Sequence, residues 1–159
     1  MRTAALFTPA ESGLVRVSDH WYRAKSCDVN VVPLFQRHYS CPKPKDTHYT
    51  SGIAGPGEDM TLITATGDAL FVWRSEEFRK DDQWGVECSV FRNEGSVQSS
   101  LMIREAVEAA VVKWKPQRFF TFVNAEKVQS ANPGYCFKMA GWSFCGFTKA
   151  GLHILEYRN

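Results

Sequence analysis

Apolar and polar positions change period several times along this chain. Met60–Ala65 and Ala69–Arg74 are rich in β-branched and aromatic residues and are separated by Thr66-Gly67-Asp68, which predicts a hairpin. A charged link, Ser75–Gln83, leads to a third run of strand character, Trp84–Phe91. The period then becomes helical over about Ser99–Trp114. Arg104, Glu105 and Glu108 form one narrow polar stripe, and Leu101, Met102, Ile103, Val107, Val111 and Trp114 cover the rest. A helix with so little polar face is predicted to be largely buried, packed on a sheet. Pro116 ends it.

Beyond the helix, Arg118–Val123 alternates in strand fashion and is rich in aromatic residues. Pro133 opens a short helix ending at Gly141, a usual terminator, and Ser143–Thr148 and Leu152–Tyr157 form two strands around Lys149-Ala150-Gly151. Upstream, Asp28–Tyr39 predicts a short helix with Pro33 in its first turn, where the missing N–H costs little. Ser40–Asp59, with Pro42, Pro44, Gly52, Gly55, Pro56 and Gly57, predicts a loop of unusual length, and such loops are more often functional or mobile than idle. A strand–helix–strand unit implies a parallel pair with a right-handed crossover. With hairpins on either side, the expected fold is α/β, with a mixed, largely antiparallel sheet around a central parallel pair and flanking helices. One domain is expected over residues 1–159, an N-terminal helix and long loop (1–59) preceding a core (60–159).

Composition changes this picture little. At 159 residues, a single domain buries about 70% of the surface its unfolded chain exposes, so it needs no cross-link or metal for stability. Five Trp and eleven Phe predict a ring-rich core, with some rings available to line a cleft for a planar ligand. A net charge of +2 neither argues for nucleic acid nor excludes it, because strong electrostatic binding comes from a concentrated basic face. Five cysteines, an odd number with no CxxC pairing, fit reduced thiols and a cytoplasmic protein. Met1–Ala10 lacks the basic start and apolar core of a secretory leader. No apolar run approaches the roughly 20 residues that cross a bilayer, so no membrane partner is expected.

The most informative stretch is the turn between the third strand and the long helix, Arg92-Asn-Glu-Gly-Ser-Val-Gln-Ser-Ser100. A helix N-terminus leaves backbone N–H groups unpaired and carries partial positive charge. A glycine in such a turn lets the backbone approach a pyrophosphate, and Arg92 adds charge-assisted hydrogen bonds. An ordinary serine-capped helix after a strand is the competing explanation.

The block resembles the Gcn5-related N-acetyltransferase (GNAT) superfamily, in which a strand, an Arg/Gln-x-x-Gly-x-Gly/Ala turn and a helix bind the pyrophosphate of acyl-CoA. Arg92 and Gly95 match, and Val97 stands at the second small position. Asn132-Pro-Gly-Tyr-Cys-Phe-Lys-Met-Ala-Gly-Trp142 resembles the family's Asn…Tyr-x-x-x-Gly-Phe segment. A closer likeness is to phage-type members, including the Mom DNA-modification enzymes, through Arg37-His38-Tyr39-Ser40, Asn93…Ser99-Ser100-Leu101-Met102-Ile103, Asn124 and Gly134-Tyr135…Trp142. Asn124 stands where Mom-like sequences tend to have Asp.

The resemblance implies an acyl-CoA-dependent N-acyltransferase, with acetyl-CoA or another acyl-CoA held by Val90, Phe91, Arg92, Gly95, Ser96, Ser99, Ser100 and Asn132. It also implies strands that splay apart around the long helix, freeing the Cys88–Phe91 backbone for the acyl and pantetheine arm. Acyl transfer to an amine needs a base, a polarised carbonyl and a proton for the leaving thiolate. Glu87 and Glu94 are the nearest carboxylates, either of which is also at home on a strand edge or turn. The family's usual acid position is Phe137, so Tyr135 substitutes, or water does, or the chemistry differs. His38 titrates near neutrality and Tyr39 stacks or donates, which suits the acceptor side as well as it suits anchoring the loop that follows. Arg37, Lys43 and Lys45, interleaved with Tyr39, His48 and Tyr49, have the mixture of cations and rings that a flipped-base or single-stranded site uses, and also that of a generic solvated loop. His38, Tyr39, Cys41 and His48 match no regular zinc spacing, and no metal is expected. The acceptor is then a nucleobase in DNA, a protein lysine or a small amine. A GNAT-like binding or inhibitor protein without turnover is the expectation from a different class.

Overall fold

In the computed structural model the described residues are 13–42, 52–128 and 130–159. They form one mixed sheet of eight strands in the order β1-β2-β3-β4-β5-β6-β8-β7. In chain order these are β1 (Val15–Arg16), β2 (Tyr22–Ala24), β3 (Glu58–Ile63), β4 (Ala69–Ser75), β5 (Val86–Asn93), β6 (Arg118–Val123), β7 (Ser143–Phe147) and β8 (His153–Arg158). Three helices accompany them: α1 (Val32–Gln36), α2 (Ser99–Trp114) and α3 (Tyr135–Met139). All neighbours run antiparallel except β5 and β6, the pair joined through α2. The α/β class and the mixed sheet are as the sequence predicts. The segment read as helix and loop before Met60 also supplies β1 and β2, which extend the sheet beyond β3.

Strand alternation sorts the core into two layers. On β4, Ala69, Phe71 and Trp73 face α2 and α3, while Leu70 and Val72 face α1. The α2 side is the larger. Trp21, Phe71, Trp73 and Phe119 are fully buried there with Met102, Ile103, Ala106 and Ala110 of the helix. Burying one such large apolar side chain stabilises the fold by about 1.5–3 kcal/mol. Two indoles also reach the helix backbone: Trp21 Nε1 donates to the Met102 carbonyl (2.8 Å) and Trp73 Nε1 to the Ala106 carbonyl (2.9 Å). The helix thus presents one face, one turn apart, to the ring that precedes β2 and to a ring of β4. Leu101 and Val112 lie outside that face and are exposed, whereas Glu105, assigned by pattern to the polar stripe, is buried.

Local chemistry sets the boundaries. At the end of α2, Lys115 adopts a left-handed conformation (φ 50°) ahead of Pro116, which disfavours right-handed helix in its predecessor. β5 starts at Val86 rather than Trp84 because Gly85 turns sharply (φ 101°), and a Cβ there would lie 2.3 Å from the Arg118 carbonyl oxygen.

Candidate functional site

The parallel seam between β5 and β6 is short. Val86, Glu87 and Cys88 face Phe119, Phe120 and Thr121, and pairing stops there. β5 continues to Asn93 against β4 alone, and β6 continues to Val123 against β8 alone. The divergence has a local cause on β5. Val72 faces Val90 and Trp73 faces Cys88, so Ser89 is an extra residue, a bulge that bends and twists its strand.

Beyond the end of the seam lies a cleft of about 1000 Å³. Cys88, Ser89 and Thr121 lie at its base, where Thr121 Oγ1 donates to the Cys88 carbonyl (2.8 Å). Phe91, Val123, Gly134, Tyr135, Cys136 and Phe137 line it, and the chain after α1, His38–Pro42, lines it from the other half of the sheet. That segment spans the gap: the Asn124 amide at the end of β6 donates to the Tyr39 hydroxyl (3.4 Å). The Tyr39 ring is stacked on His38 with centroids 4.4 Å apart, and the His38 Nδ1 meets the Ser40 hydroxyl at 2.7 Å.

The cleft favours neutral groups. Burial pushes the Tyr39 phenol above its ordinary range, more than the hydrogen bond from Asn124 lowers it, and the nearby Cys88 adds to the rise. Burial likewise holds the Cys88 thiol well above its usual value and raises Cys136. Phenol and thiols are therefore protonated at neutral pH, available as donors rather than anions. Glu87 is the acidic residue in the lining, and its carboxylate is bound by Arg74 (2.7 Å) and Arg79 (2.6 Å), neither of which lines the cleft.

The β5–α2 turn is built separately. The Asn93 amide donates to the Val97 carbonyl (2.7 Å) and the Ser99 hydroxyl (3.0 Å), while its oxygen accepts from the Gly95 N–H (3.0 Å). The Glu94 N–H donates to the Asp68 carbonyl at 2.8 Å. Gly95 is required: a Cβ would come within 2.5 Å of the Asp68 carboxylate, which is fixed by Thr64 Oγ1 at 2.6 Å. The helical ladder begins with Met102 N–H to the Gln98 carbonyl, so the amides of Ser99, Ser100 and Leu101 lie ahead of it, at the positive end of the α2 dipole.

Arg92 and Glu94 are engaged within the protein. Arg37 grips Glu94 through two bonds (2.7 and 2.9 Å), Arg92 Nε pairs with the same carboxylate, and Arg92 Nη1 donates to the Arg37 carbonyl at 2.8 Å. Hydrogen bonding by Arg37 holds the Glu94 carboxyl below its usual range, burial works against this, and Arg92 adds to the lowering. A carboxylate clamped between two guanidiniums is a weak base.

The residues singled out from sequence therefore divide into groups. His38, Tyr39, Phe91, Asn132 and Tyr135 line the cleft. Arg92, Glu94, Gly95, Ser96, Ser99 and Ser100 form the turn and do not line it. Val90 is buried on the α1 side of the sheet with Leu34 and Phe35. Tyr135 is exposed, Asn132 accepts from Lys138 Nζ (2.6 Å), and Phe137 packs against Phe91 and Trp142 in the core. Lys43, Lys45, His48 and Tyr49 lie outside the described residues. Among the described residues no three His, Cys, Asp or Glu side chains come together as metal ligands, and no helix is long and apolar enough to cross a membrane. Thr121 and Cys136 were not singled out. Thr121 left a signal as the one hydroxyl in the aromatic run Arg118–Val123, whereas Cys136 left none.

Fold and cleft together define an α/β protein with a ligand-sized opening at the split of a parallel strand pair. No protein-family model matches the chain, and the search of curated proteins finds no match.

Proposed function

We propose that this chain is an acyl-CoA-dependent N-acyltransferase of GNAT-like fold. The observation that carries the reading is the split of β5 from β6 after Cys88 with the Ser89 bulge, which leaves an open cleft between the two strands. The pantetheine arm of an acyl-CoA is narrow, extended and amide-bearing. It suits a slot where strand backbone has lost its neighbour, with the pyrophosphate on the turn Gly95–Ser100. Arg92 serves by shaping the turn through Glu94 and Arg37, and the amides supply the anion contacts. The neutral phenol of Tyr39 lies in the cleft as a proton donor to a leaving thiolate, and Tyr135 stands at its rim. The acceptor amine enters past His38 and Tyr39. Their stacked rings suit a nucleobase, in keeping with the Mom-like resemblance.

Titration calorimetry with acetyl-CoA tests the cofactor. Binding is expected, and Cys136→Trp, which fills the cleft, is expected to weaken it by at least about tenfold, or 1.4 kcal/mol. Heat from neither acetyl-CoA nor free CoA would sink the assignment. Mass spectrometry of DNA and protein from cells expressing the chain then identifies the acceptor by the adduct formed.

A second reading is favoured by the packing of Phe137 and the internal ion pairs of Arg92 and Glu94: a GNAT-like binding protein without turnover. It predicts CoA binding with no adduct on any acceptor.

A further inference from the structure

The sheet ends differently at its two edges. β1 is two residues long, and Arg16 folds back to donate to the carbonyls of Ser18 (2.9 Å) and Asp19 (3.0 Å). Shortness and a cation are common guards of an open edge. β7, Ser143–Phe147, is longer and has neither charge nor proline. Its outer side pairs with no strand among the described residues, and all of its residues except Gly146 are exposed.

β7 also carries a bulge. Phe144 faces Leu155, but Gly146 faces Ile154, so Cys145 is an extra residue. In a regular strand, residues three apart point to opposite faces. Here the bulge puts Phe144 and Phe147 on the same face, with ring centroids 5.1 Å apart and each ring edge-on to His153, at 5.3 and 5.1 Å. Even so, 45% of Phe144 and 62% of Phe147 stay exposed. Bulges at an edge often spoil pairing, but this one gathers two aromatic rings beside unpaired backbone.

We infer that β7 is a homodimer interface, in which β7 of a second copy pairs with it antiparallel across a two-fold axis. A two-fold interface requires the patch to be its own complement, and the spacing of the two rings meets that demand. Pairing centred between Cys145 and Gly146 sets Phe144 of each copy opposite Phe147 of the other, on one face. The result is two cross-strand aromatic pairs flanking the axis. No like charges meet, because β7 carries none. A strand from another protein would match the hydrogen bonds alone unless it repeated this spacing.

Sedimentation or light scattering of the full chain over a range of concentrations tests the inference, with Phe147→Lys as the variant. Phe147 is mostly exposed, so the variant is expected to fold, which circular dichroism checks. The wild-type chain is expected to approach twice the chain mass as concentration rises, with slowed exchange of β7 amides, while Phe147→Lys stays at the single-chain mass with fast exchange. A wild-type chain at the single mass throughout would overturn the inference and leave the edge to a strand of some other protein. A dimer that persists in Phe147→Lys would overturn it equally, by placing the interface elsewhere.

Discussion

Gly134 shows how tightly single residues hold the cleft. Its φ of 74° lies in the left-handed region, and a Cβ would come 2.3 Å from Leu155 Cδ1 and 3.5 Å from Val123. Backbone strain and steric overlap act in the same direction, so Gly134→Ala is expected to destabilise the fold by about 1–3 kcal/mol, read from the urea midpoint. Glu94 is the residue where sequence and structure part most clearly. Its position in the turn made it a candidate base, yet what decides its chemistry is Arg37, 57 residues upstream. No local pattern contains that distance. Gly95 was legible only as a small residue in a turn before a helix; what demands a glycine there is the Asp68 carboxylate on the hairpin turn, which a Cβ would meet at 2.5 Å.

At the scale of elements, the β1–β2 arm is tied to α2 by a polar contact as well as by Trp21. Glu105 accepts from the His20 backbone N–H (3.0 Å), and its other oxygen meets His20 Nδ1 at 2.6 Å. Burial would raise the Glu105 carboxyl, but hydrogen bonds from Ser18 and His20 outweigh it and the net shift is downward. A carboxyl held below its unfolded value contributes stability that is present above the ordinary carboxylate pKa. It is lost as pH falls through the folded value. The wild-type chain is therefore expected to lose stability on acidification below about pH 4.5. Glu105→Gln is expected to cost about 1–2 kcal/mol at neutral pH and to flatten that acid limb, as seen in urea melts at several pH values. The extents of α2 and β6 were readable because both are long, strongly patterned and bounded by Pro116 or by polar turns. β1 and β2 were not, since two or three residues are too few to display a period, and what makes them strands is pairing, β2 on the edge of β3 and β1 on β2. The cleft was less legible than the turn for the same reason. The turn is contiguous in sequence, whereas the cleft is assembled from His38–Pro42, β5, β6 and the segment before α3.

Seen whole, the protein is two unequal half-sheets, β1–β5 and β6–β8-β7, joined edge to edge through only three residue pairs. The chain connects them through α2, and Tyr39 reaches across to Asn124 near the open end. A slender molecule lodged in the split touches both halves at once and takes the place of the missing rungs of the ladder. Its binding free energy therefore adds directly to the cohesion of the sheet, along the line where the sheet has least of its own. Acetyl-CoA is accordingly expected to raise the melting temperature and to slow amide exchange most along Cys88–Phe91 and Phe122–Asn124. In mechanical terms the cofactor would be a keystone, completing the span of the structure that holds it.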